Sequence, residues 1–375
     1  MQRHKLGPGD FDQVDNQGDR GVQQPQQDKA EFTDRAESGY LRVRISRAAV
    51  HHAYQGIVLN GIEDSRPIKP YVHSCIINSE LSNVRIMDIN ILEKVKRLAI
   101  IAMVSDDELM DKLVLKGGNA IDLIYQVSGR ASTDIDFSMS AEFSEEELKR
   151  ISDKVERVLR TTFHPEGWRV FDVTFIEKPD MLDTKQKMFW GGYRIGFKII
   201  PEAIYEEKSK DVEYLRRTAT VTGPNNRRVF EIEISKFEYC TGKEAKEMDG
   251  YRVYVYSPEM IVLEKIRAIC QQIPDYRDIV KTHTSTARAR DFFDIYILLE
   301  HFRIDLNDTR VKDLLIKIFE AKKVPRYFLR EIGDYREFHR PDFISVINTV
   351  KSGVQLKDFD FYFDYVEAKF TALEF

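Results

Sequence analysis

The sequence has few cysteines and no long apolar run, and each absence excludes a class of protein. Its 375 residues include only three cysteines, Cys75, Cys240 and Cys270. They lie far apart in no paired spacing, which argues against a disulfide framework and a cysteine zinc site. No stretch approaches the roughly 18 uninterrupted apolar residues of a membrane span, and the first residues lack the apolar core of a signal peptide. We therefore expect a cytoplasmic protein with buried free thiols and no membrane partner.

A large excess of one charge is also absent, and so are clustered histidines. The net charge of −5 excludes a globally basic nucleic-acid binder. A local basic groove stays open, because the field depends on where the charges sit. His51 and His52 are adjacent and the other histidines are scattered, so none has a spacing such as H-E-x-x-H. The sequence therefore favours neither a zinc enzyme nor a globally basic protein.

The chain is longer than one hydrophobic core usually allows, which predicts two packed units with appendages. Residues 1–38 are rich in Gln, Asp and Gly and almost empty of apolar residues, so we expect a disordered extension. Residues 39–86 contain short mixed segments and are interpreted as an accessory segment of unknown role. Residues 87–256 alternate helical and strand patterns, whereas residues 257–375 are chiefly helical. These ranges predict a domain of helices and strands, followed by a helical domain that completes the functional site of the first.

Local patterns predict the order of the elements within these domains. Ser144 and Glu147 form a capping box at the start of a helix, and Ser257-Pro258 begins another. Apolar spacing predicts helices at 91–104, 119–126, 143–159, 258–272, 287–302, 311–321 and 341–350. Strand patterns occur at 113–118, 133–139, 168–176, 193–200 and 228–235. This order predicts an α+β fold in which helices pack against a mixed sheet.

Asp134 and Asp136 are the first candidate site residues. In a strand, side chains alternate between faces, so both carboxylates would point one way while Ile135 points to the core. Two carboxylates on one face repel each other unless a cation lies between them, and such oxygen ligands suit Mg²⁺. An exposed sheet face also produces this pattern often, so the pair alone is weak evidence.

The preceding strand ends in the glycine pair Gly117-Gly118, just where a helix is predicted to begin. Glycines allow a phosphate to approach the main chain, and the free N–H groups of a helix start attract it. The pair lacks a following G-K-[ST], so it is not a P-loop. An ordinary tight turn is the alternative. However, a glycine turn combined with a D-x-D strand is much more specific than the glycine turn or the D-x-D strand alone.

A third carboxylate should come from a neighbouring strand. The run FEIEIS places Glu231 and Glu233 on one face, and we choose Glu233 because it is more central. A surface strand that carries paired glutamates is about equally compatible with this pattern.

Two segments resemble the signatures of a known family. LVLKGGNAIDLIYQVSGRASTDIDFSM resembles the nucleotidyltransferase signature of the AbiEii/AbiGii toxins, a branch of the polymerase-beta-like nucleotidyltransferases. SPEMIVLEKIRAICQ followed by RARDFFDIYILL resembles that family's second signature, a Glu-Lys helix and then an R-D-x-x-D helix. Both occur in the right order and together cover about residues 88–302. The resemblance implies a polymerase-beta-like mixed sheet followed by a mainly α-helical C-terminal region.

The resemblance also implies roles for individual residues. Asp134 and Asp136 would hold Mg²⁺ or Mn²⁺, with Glu233 completing the site and acting as a base. The triphosphate of an NTP would be lined by Gly117, Gly118, Asn119 and Ser132. Lys265 would reach a phosphate, and Asp291 would organise Lys265 or the nucleotide. Without the two matched signatures, Lys265 and Asp291 would be ordinary solvated side chains, and Arg290 with Asp294 an ordinary i,i+4 pair.

This sequence departs from the family pattern in two places. Asn119 stands where many members carry Thr or Ser, so an amide replaces a hydroxyl. Fifteen residues separate Gly118 from Asp134, somewhat more than is common, and we expect the helix between them to be a little longer.

The implied activity is transfer of NMP from an NTP to an RNA acceptor such as a tRNA 3′ end, in a toxin–antitoxin or abortive-infection system for phage defence. The cognate antitoxin would be encoded nearby. Transfer to a small molecule or a protein is one alternative, and an inactive nucleotide- or RNA-binding scaffold is another. The basic, aromatic run at 322–340 would either contact RNA or form an ordinary solvated helix and loop.

Overall fold

A seven-stranded mixed sheet forms the centre of the structure, which is a computed structural model. The described residues are 89–127, 129–132, 134–180, 184–222, 226–351 and 353–374. The strands are β1 (Val114–Lys116), β2 (Ile135–Ser138), β3 (Trp168–Lys178), β4 (Gly192–Pro201), β5 (Phe230–Ser235), β6 (Glu244–Met248) and β7 (Tyr251–Val255). Their order across the sheet is β3-β4-β5-β2-β1-β7-β6. The two candidate acids and the glycine pair therefore lie on its central strands or beside them.

The central strands pair in both directions. β2 runs antiparallel to β1 and parallel to β5, and β1 runs parallel to β7. Ile135 and Phe137 on β2 are fully buried, as the strand alternation predicts. All three residues of β1 are buried, including Lys116 at its end. This apolar centre sets the register that brings the polar ends of β1 and β2 together.

Six helices of 13 residues or more cover the sheet and build the C-terminal region. They are α1 (Ile89–Val104), α2 (Glu145–Phe163), α3 (Pro258–Cys270), α4 (Ala289–Phe302), α5 (Thr309–Ala321) and α6 (Phe359–Thr371). α1 packs on α2 and α2 on β3, whereas α3 packs on α4 and α5, and α4 on α6. This arrangement confirms the predicted α+β class with a helical C-terminal region.

Shorter helices occupy the connections. The α-helical ones are Asp107–Lys112, Gly117–Asn119, Thr184–Lys187, Glu202–Lys208, Val212–Thr218, Tyr276–Ile279, Arg336–His339 and Phe343–Ile347. A π-helical turn spans Ala120–Ile124, and 3₁₀ turns span His164–Glu166, Arg326–Arg330, Ile332–Tyr335 and Arg340–Asp342. Among the described residues, none of the helices has the length and apolar character needed to cross a membrane.

The predicted caps form as expected. The N–H of Glu147 donates to the Ser144 hydroxyl at 3.3 Å, and the N–H of Ser144 donates to the Glu147 carboxylate at 2.7 Å. Ser257 accepts from the N–H of Met260 at the start of α3. Because these contacts satisfy the free N–H groups of the first turn, they set where each helix begins.

One local prediction was wrong, one was confirmed in part, and one element was missed. The helix after the glycine pair is shorter than expected: its π-helical turn ends at Ile124, and Gln126 adopts a φ of 55°, which an α-helix cannot continue. The predicted helix at 341–350 is α-helical only over Phe343–Ile347, after a 3₁₀ turn at Arg340–Asp342. The hairpin of β6 and β7 was missed, although Asp249 and Gly250, both with positive φ, form the Asp-Gly turn typical of a two-residue hairpin.

Several predictions concern residues outside the described part of the chain. These are the extension at 1–38, the segment at 39–86, the start of the first domain near Met87, and Cys75. Cys240 is half-buried and Cys270 is buried, and both are free thiols. The boundary between residues 256 and 257 stays a prediction.

Candidate functional site

A cleft of about 900 Å³ lies at the edge of the sheet where β1 ends and β2 begins. It brings together most of the residues singled out in the sequence. From the sheet and its adjoining turns come Gly117, Gly118, Ser132, Asp134, Asp136 and Glu233. Lys265 on α3 and Asp291 on α4 line the opposite side. Residues from both halves of the described chain therefore form one site.

Asp136 and Glu233 are direct partners on adjacent parallel strands. Partners in register carry their side chains on the same face of the sheet, so both carboxylates point into the cleft. Burial raises the pKa of the Asp136 carboxyl to about 6, and the negative charges of Glu233 and Asp134 add to the rise while Lys116 opposes it. The neighbouring carboxylates thus lie close enough to Asp136 to disfavour its ionised form.

Asp134 lies just before β2 and not within it, which corrects the expectation that the whole D-x-D sequence is a strand. Its side chain is exposed. The Asn119 side-chain amide donates to the main-chain carbonyl of Asp134 and ties the glycine turn to this residue. Asn119 is fully buried and does not line the cleft, and its Oδ1 has no hydrogen-bond partner among the described residues. The contact of Asn119 with the main chain of Asp134 gives it a positioning role, and its role toward the triphosphate stays a prediction.

The glycine pair allows very close packing. Gly117 has a φ of +68°, and a Cβ placed on it would lie 2.7 Å from Oδ2 of Asp136. A Cβ on Gly118 would lie 2.5 Å from the Ser132 hydroxyl oxygen. Since real Cβ atoms do not approach other atoms so closely, any larger residue would displace Asp136 or Ser132. Because both glycines lack a side chain, the turn packs directly against Asp136 and Ser132.

Glu233 forms an ion pair with Arg194, the residue opposite it on β4, at 2.8 Å. Both side chains are substantially exposed, at 39% for Arg194 and 49% for Glu233. Within the described ranges, no group of three Asp, Glu, His or Cys side chains is arranged to hold a metal ion. The carboxylates of Asp134, Asp136 and Glu233 share one side of the cleft, but Glu233 is directed to a cation of the protein.

A buried ionic cluster lies beneath the acids. The Lys116 ammonium is 3.2 Å from the Glu264 carboxylate and 3.7 Å from that of Glu238. Arg267 reaches Glu264 at 3.0 Å. Burial alone would raise the pKa of Glu264, but the charges of Lys116 and Arg267 hold it at about 2. The cluster joins the end of β1 to α3 and keeps a positive group next to Asp136.

A second buried cluster joins α3 to α4. The Lys265 ammonium lies 2.7 Å from Asp291 and 2.8 Å from Asp294. Arg130, in the loop before β2, binds both oxygens of Asp294 at 2.8 and 2.5 Å. Burial would lower the pKa of Lys265, but Asp291 and Asp294 raise it to about 12. Lys265 is therefore a charged residue that Asp291 holds in place.

The sequence analysis assigned no role to Lys116, Arg130, Arg194 or Glu264. One signal was available for Lys116, because it is a charged residue at the end of an otherwise apolar buried strand and needs a partner there. Arg194 carries no local signal, since its partner lies 39 residues away in the sequence. Glu264 has a local partner in Arg267, three residues later, but its second partner Lys116 lies 148 residues away.

The basic run at 322–340 is packed into the protein only in part. Phe328 and His339 are buried. Arg336 and Arg340 pair with carboxylates of α6, including Asp360 at 2.9 and 2.7 Å. Arg326, Tyr327 and Arg330 are exposed, so the RNA contact of this run stays a prediction.

Comparisons with known proteins indicate the family to which the chain belongs. Residues 99–365 match the profile of the family described as nucleotidyl transferase AbiEii toxin, type IV toxin–antitoxin system. A search of curated proteins found no significant match.

Solved structures give distant matches. A candidate nucleotidyltransferase from H. pylori is 18% identical with a TM-score of 0.38, over 75% of this chain and 92% of that one. JHP933 from Helicobacter pylori is 16% identical with a TM-score of 0.39, over 76% and 91%. An antigenic nucleotidyltransferase-like protein from Paracoccidioides brasiliensis is 15% identical with a TM-score of 0.29, over 62% and 93%.

The family profile carries the assignment, because these structural scores are low. It covers well over half of the chain and includes both signature segments. The cleft lies within the matched residues, and the glycine turn, the acids and the Lys265–Asp291 pair all face it. The chain therefore belongs to the AbiEii family of nucleotidyl transferase toxins.

Proposed function

We propose that this protein transfers NMP from an NTP to an RNA acceptor, the 3′ end of a tRNA, and releases pyrophosphate. The observation that carries the proposal is that Asp136 faces Glu233 in register while it touches the glycine turn at Gly117. Acids and a narrow glycine turn in one cleft suit a nucleotide whose phosphates must lie beside a cation.

A divalent cation, Mg²⁺ or Mn²⁺, fits the donor set. Asp134, Asp136 and Glu233 offer the hard oxygen ligands that such ions prefer. Burial raises the pKa of Asp136, and Glu233 and Asp134 add negative charge that a bound cation would neutralise. The ion would supply charge neutralisation at the reacting phosphate. Glu233 would have to leave Arg194, and because that pair is exposed the cost is small.

The remaining roles follow from position. Gly117, Gly118 and Ser132 line the cleft, and the triphosphate would lie against this turn. The ammonium of Lys265, held by Asp291, provides a fixed positive charge on the facing wall. Glu233 would accept the proton of the attacking hydroxyl. Catalysis in this scheme comes from positioning and charge.

The biological setting follows from the family. As a toxin of a type IV toxin–antitoxin system, the protein would act in the cytoplasm, and a cognate antitoxin encoded nearby would oppose it. Modification of tRNA would halt translation in infected cells, which is the phage-defence role of an abortive-infection system.

The test is to incubate the full-length protein with labelled NTPs, Mg²⁺ and total RNA, in parallel with Asp136→Ala. Label on a tRNA-sized band that depends on Asp136 and on the cation supports the proposal. Label on the protein or on a small molecule would move the acceptor to another class. No label in any fraction would support the inactive nucleotide- or RNA-binding scaffold.

A further inference from the structure

The lysines and arginines that line the cleft differ in whether a carboxylate lies close enough to pair with them. Eight of its lysines and arginines have a carboxylate oxygen within 3.5 Å. Arg290 is the ninth, and no carboxylate of the described residues lies within ion-pair distance of it. The sequence suggested Asp294 as its i,i+4 partner, but Asp294 is taken by Arg130 and Lys265. Arg290 is half-buried and faces the cleft with an uncompensated charge.

Arg288, two residues earlier, has a hydrogen-bond donor that no described group accepts. One of its terminal nitrogens lies 3.3 Å from Asp291. Its Nε is buried and has no hydrogen-bond partner among the described residues. A buried guanidinium N–H without a partner is costly, so the pair of arginines has unused capacity for an acceptor of negative charge.

The backbone around these arginines is held firmly. The N–H of Arg288 donates to Nδ1 of His339 at 3.0 Å, and the N–H of Ala289 donates to Asp342 at 3.0 Å. These bonds fix the start of α4. They also occupy the main-chain donors there, so an anion would be bound by the arginine side chains and not by the helix end.

A chain of contacts connects the glycine turn to the arginines. A Cβ on Gly118 would lie 3.7 Å from the Arg130 guanidinium, and Arg130 binds Asp294. Asp294 shares Lys265 with Asp291, which in turn contacts Arg288. The arginines thus lie on the Gly118 side of the cleft, whereas Asp136 lies on the Gly117 side.

We propose that Arg290, with Arg288 beside it, binds the β- and γ-phosphates of the nucleoside triphosphate. The inference rests on the proposed function, because it requires an NTP in this cleft. The α-phosphate would lie by Asp136, and the terminal phosphates would extend past Gly118 toward α4. A guanidinium presents planar paired donors that match phosphate oxygens, and Arg290 is half-buried at the wall of the cleft where those oxygens would lie.

The experiment measures equilibrium binding of NTP, NDP and NMP to the full-length protein with Mg²⁺ and no RNA. All four bases are tried, and the tightest is used for Arg290→Gln, Arg290→Lys and Arg310→Gln. Arg290→Gln should weaken NTP binding about tenfold or more, since it removes hydrogen bonds between charged groups. NMP binding should stay unchanged, and Arg290→Lys should fall between. Arg310 is 90% exposed and pairs with Asp308 outside the cleft, so Arg310→Gln should bind as the wild type does.

Equal NTP affinity of Arg290→Gln and wild type would overturn the inference and leave the proposed function intact. An equal loss for NTP and NMP would also overturn it, because the defect would then not involve the terminal phosphates. If Arg290→Gln binds NTP normally but binds total RNA more weakly than wild type in a separate titration, Arg290 is assigned to the acceptor instead. If wild type binds none of the four NTPs, the proposed function fails as well. Matching thermal unfolding midpoints would show that the variants are folded.

Discussion

Asp294 accepts two hydrogen bonds from the Arg130 side chain, at 2.8 and 2.5 Å, across 164 residues of sequence. It also lies 2.8 Å from the Lys265 ammonium. All three side chains are nearly fully buried. One carboxylate therefore balances two buried cations and connects the loop before β2 to α3 and α4.

Asp294→Asn should lower the free energy of unfolding by about 3 kcal/mol or more, because two buried cations lose a shared counter-charge. Urea unfolding at fixed ionic strength measures the change. The matched control is Glu156→Gln, which breaks an exposed i,i+4 pair with Arg160 and should cost about 0.5 kcal/mol or less. If both substitutions lowered the free energy of unfolding equally, burial would not explain the contribution of Asp294.

Gly118→Ala should destabilise the protein by about 1–3 kcal/mol, because the new methyl group would overlap Ser132. The overlap involves both the Oγ and the Cβ of Ser132, at 2.5 and 2.6 Å. Ser132→Gly removes both atoms and should relieve most of the cost in the double variant. A double-mutant cycle on unfolding free energies tests this, and strictly additive effects would show that the two residues do not compete for space.

Glu233→Gln and Glu231→Gln form a matched pair on the same strand. Glu233 is in register with Asp136, whereas Glu231 pairs with Arg227. Loss of Glu233 should reduce the rate of nucleotidyl transfer by about 100-fold or more, and loss of Glu231 should change it by less than about threefold. Initial rates at saturating NTP and Mg²⁺ decide between them. If loss of Glu231 reduced the rate more than loss of Glu233, the third carboxylate of the site would be Glu231.

His339 should make the protein less stable in acid. Burial lowers the pKa of His339 from 6.5 to about 4, and its Nδ1 accepts from the N–H of Arg288. Between pH 6.5 and 4 the unfolded chain binds a proton that the native chain excludes, so the free energy of unfolding falls as the pH is lowered. The contribution of this one group reaches about 3 kcal/mol at pH 4.

Asn can place an oxygen acceptor where Nδ1 lies, without titrating. Urea unfolding of His339→Asn at pH 6.5 and pH 4 should therefore show a smaller loss of stability than the wild type. All other titrating groups are shared by the two proteins and cancel in the comparison. Identical losses would mean that His339 is protonated in the native state at pH 4.

Local sequence was sufficient for much of the framework of the site. Ser144 and Ser257 marked the starts of α2 and α3, because capping depends on residues within one turn. Alternation around Ile135 identified a strand with an acid on its other face, and Gly117 marked a turn that only glycine allows. The family signatures located Lys265 and Asp291, which the structure brings to the same cleft.

Only the tertiary structure decided which charges meet. The strand order and the packing of α3 and α4 determine that Glu233 pairs with Arg194 and Asp294 with Arg130. They also determine that Arg290 has no carboxylate partner in the described part of the chain. Sequence patterns report burial and backbone preference over a few neighbouring residues. An ion pair joins side chains that are distant in the chain, so its partners are settled by the fold as a whole.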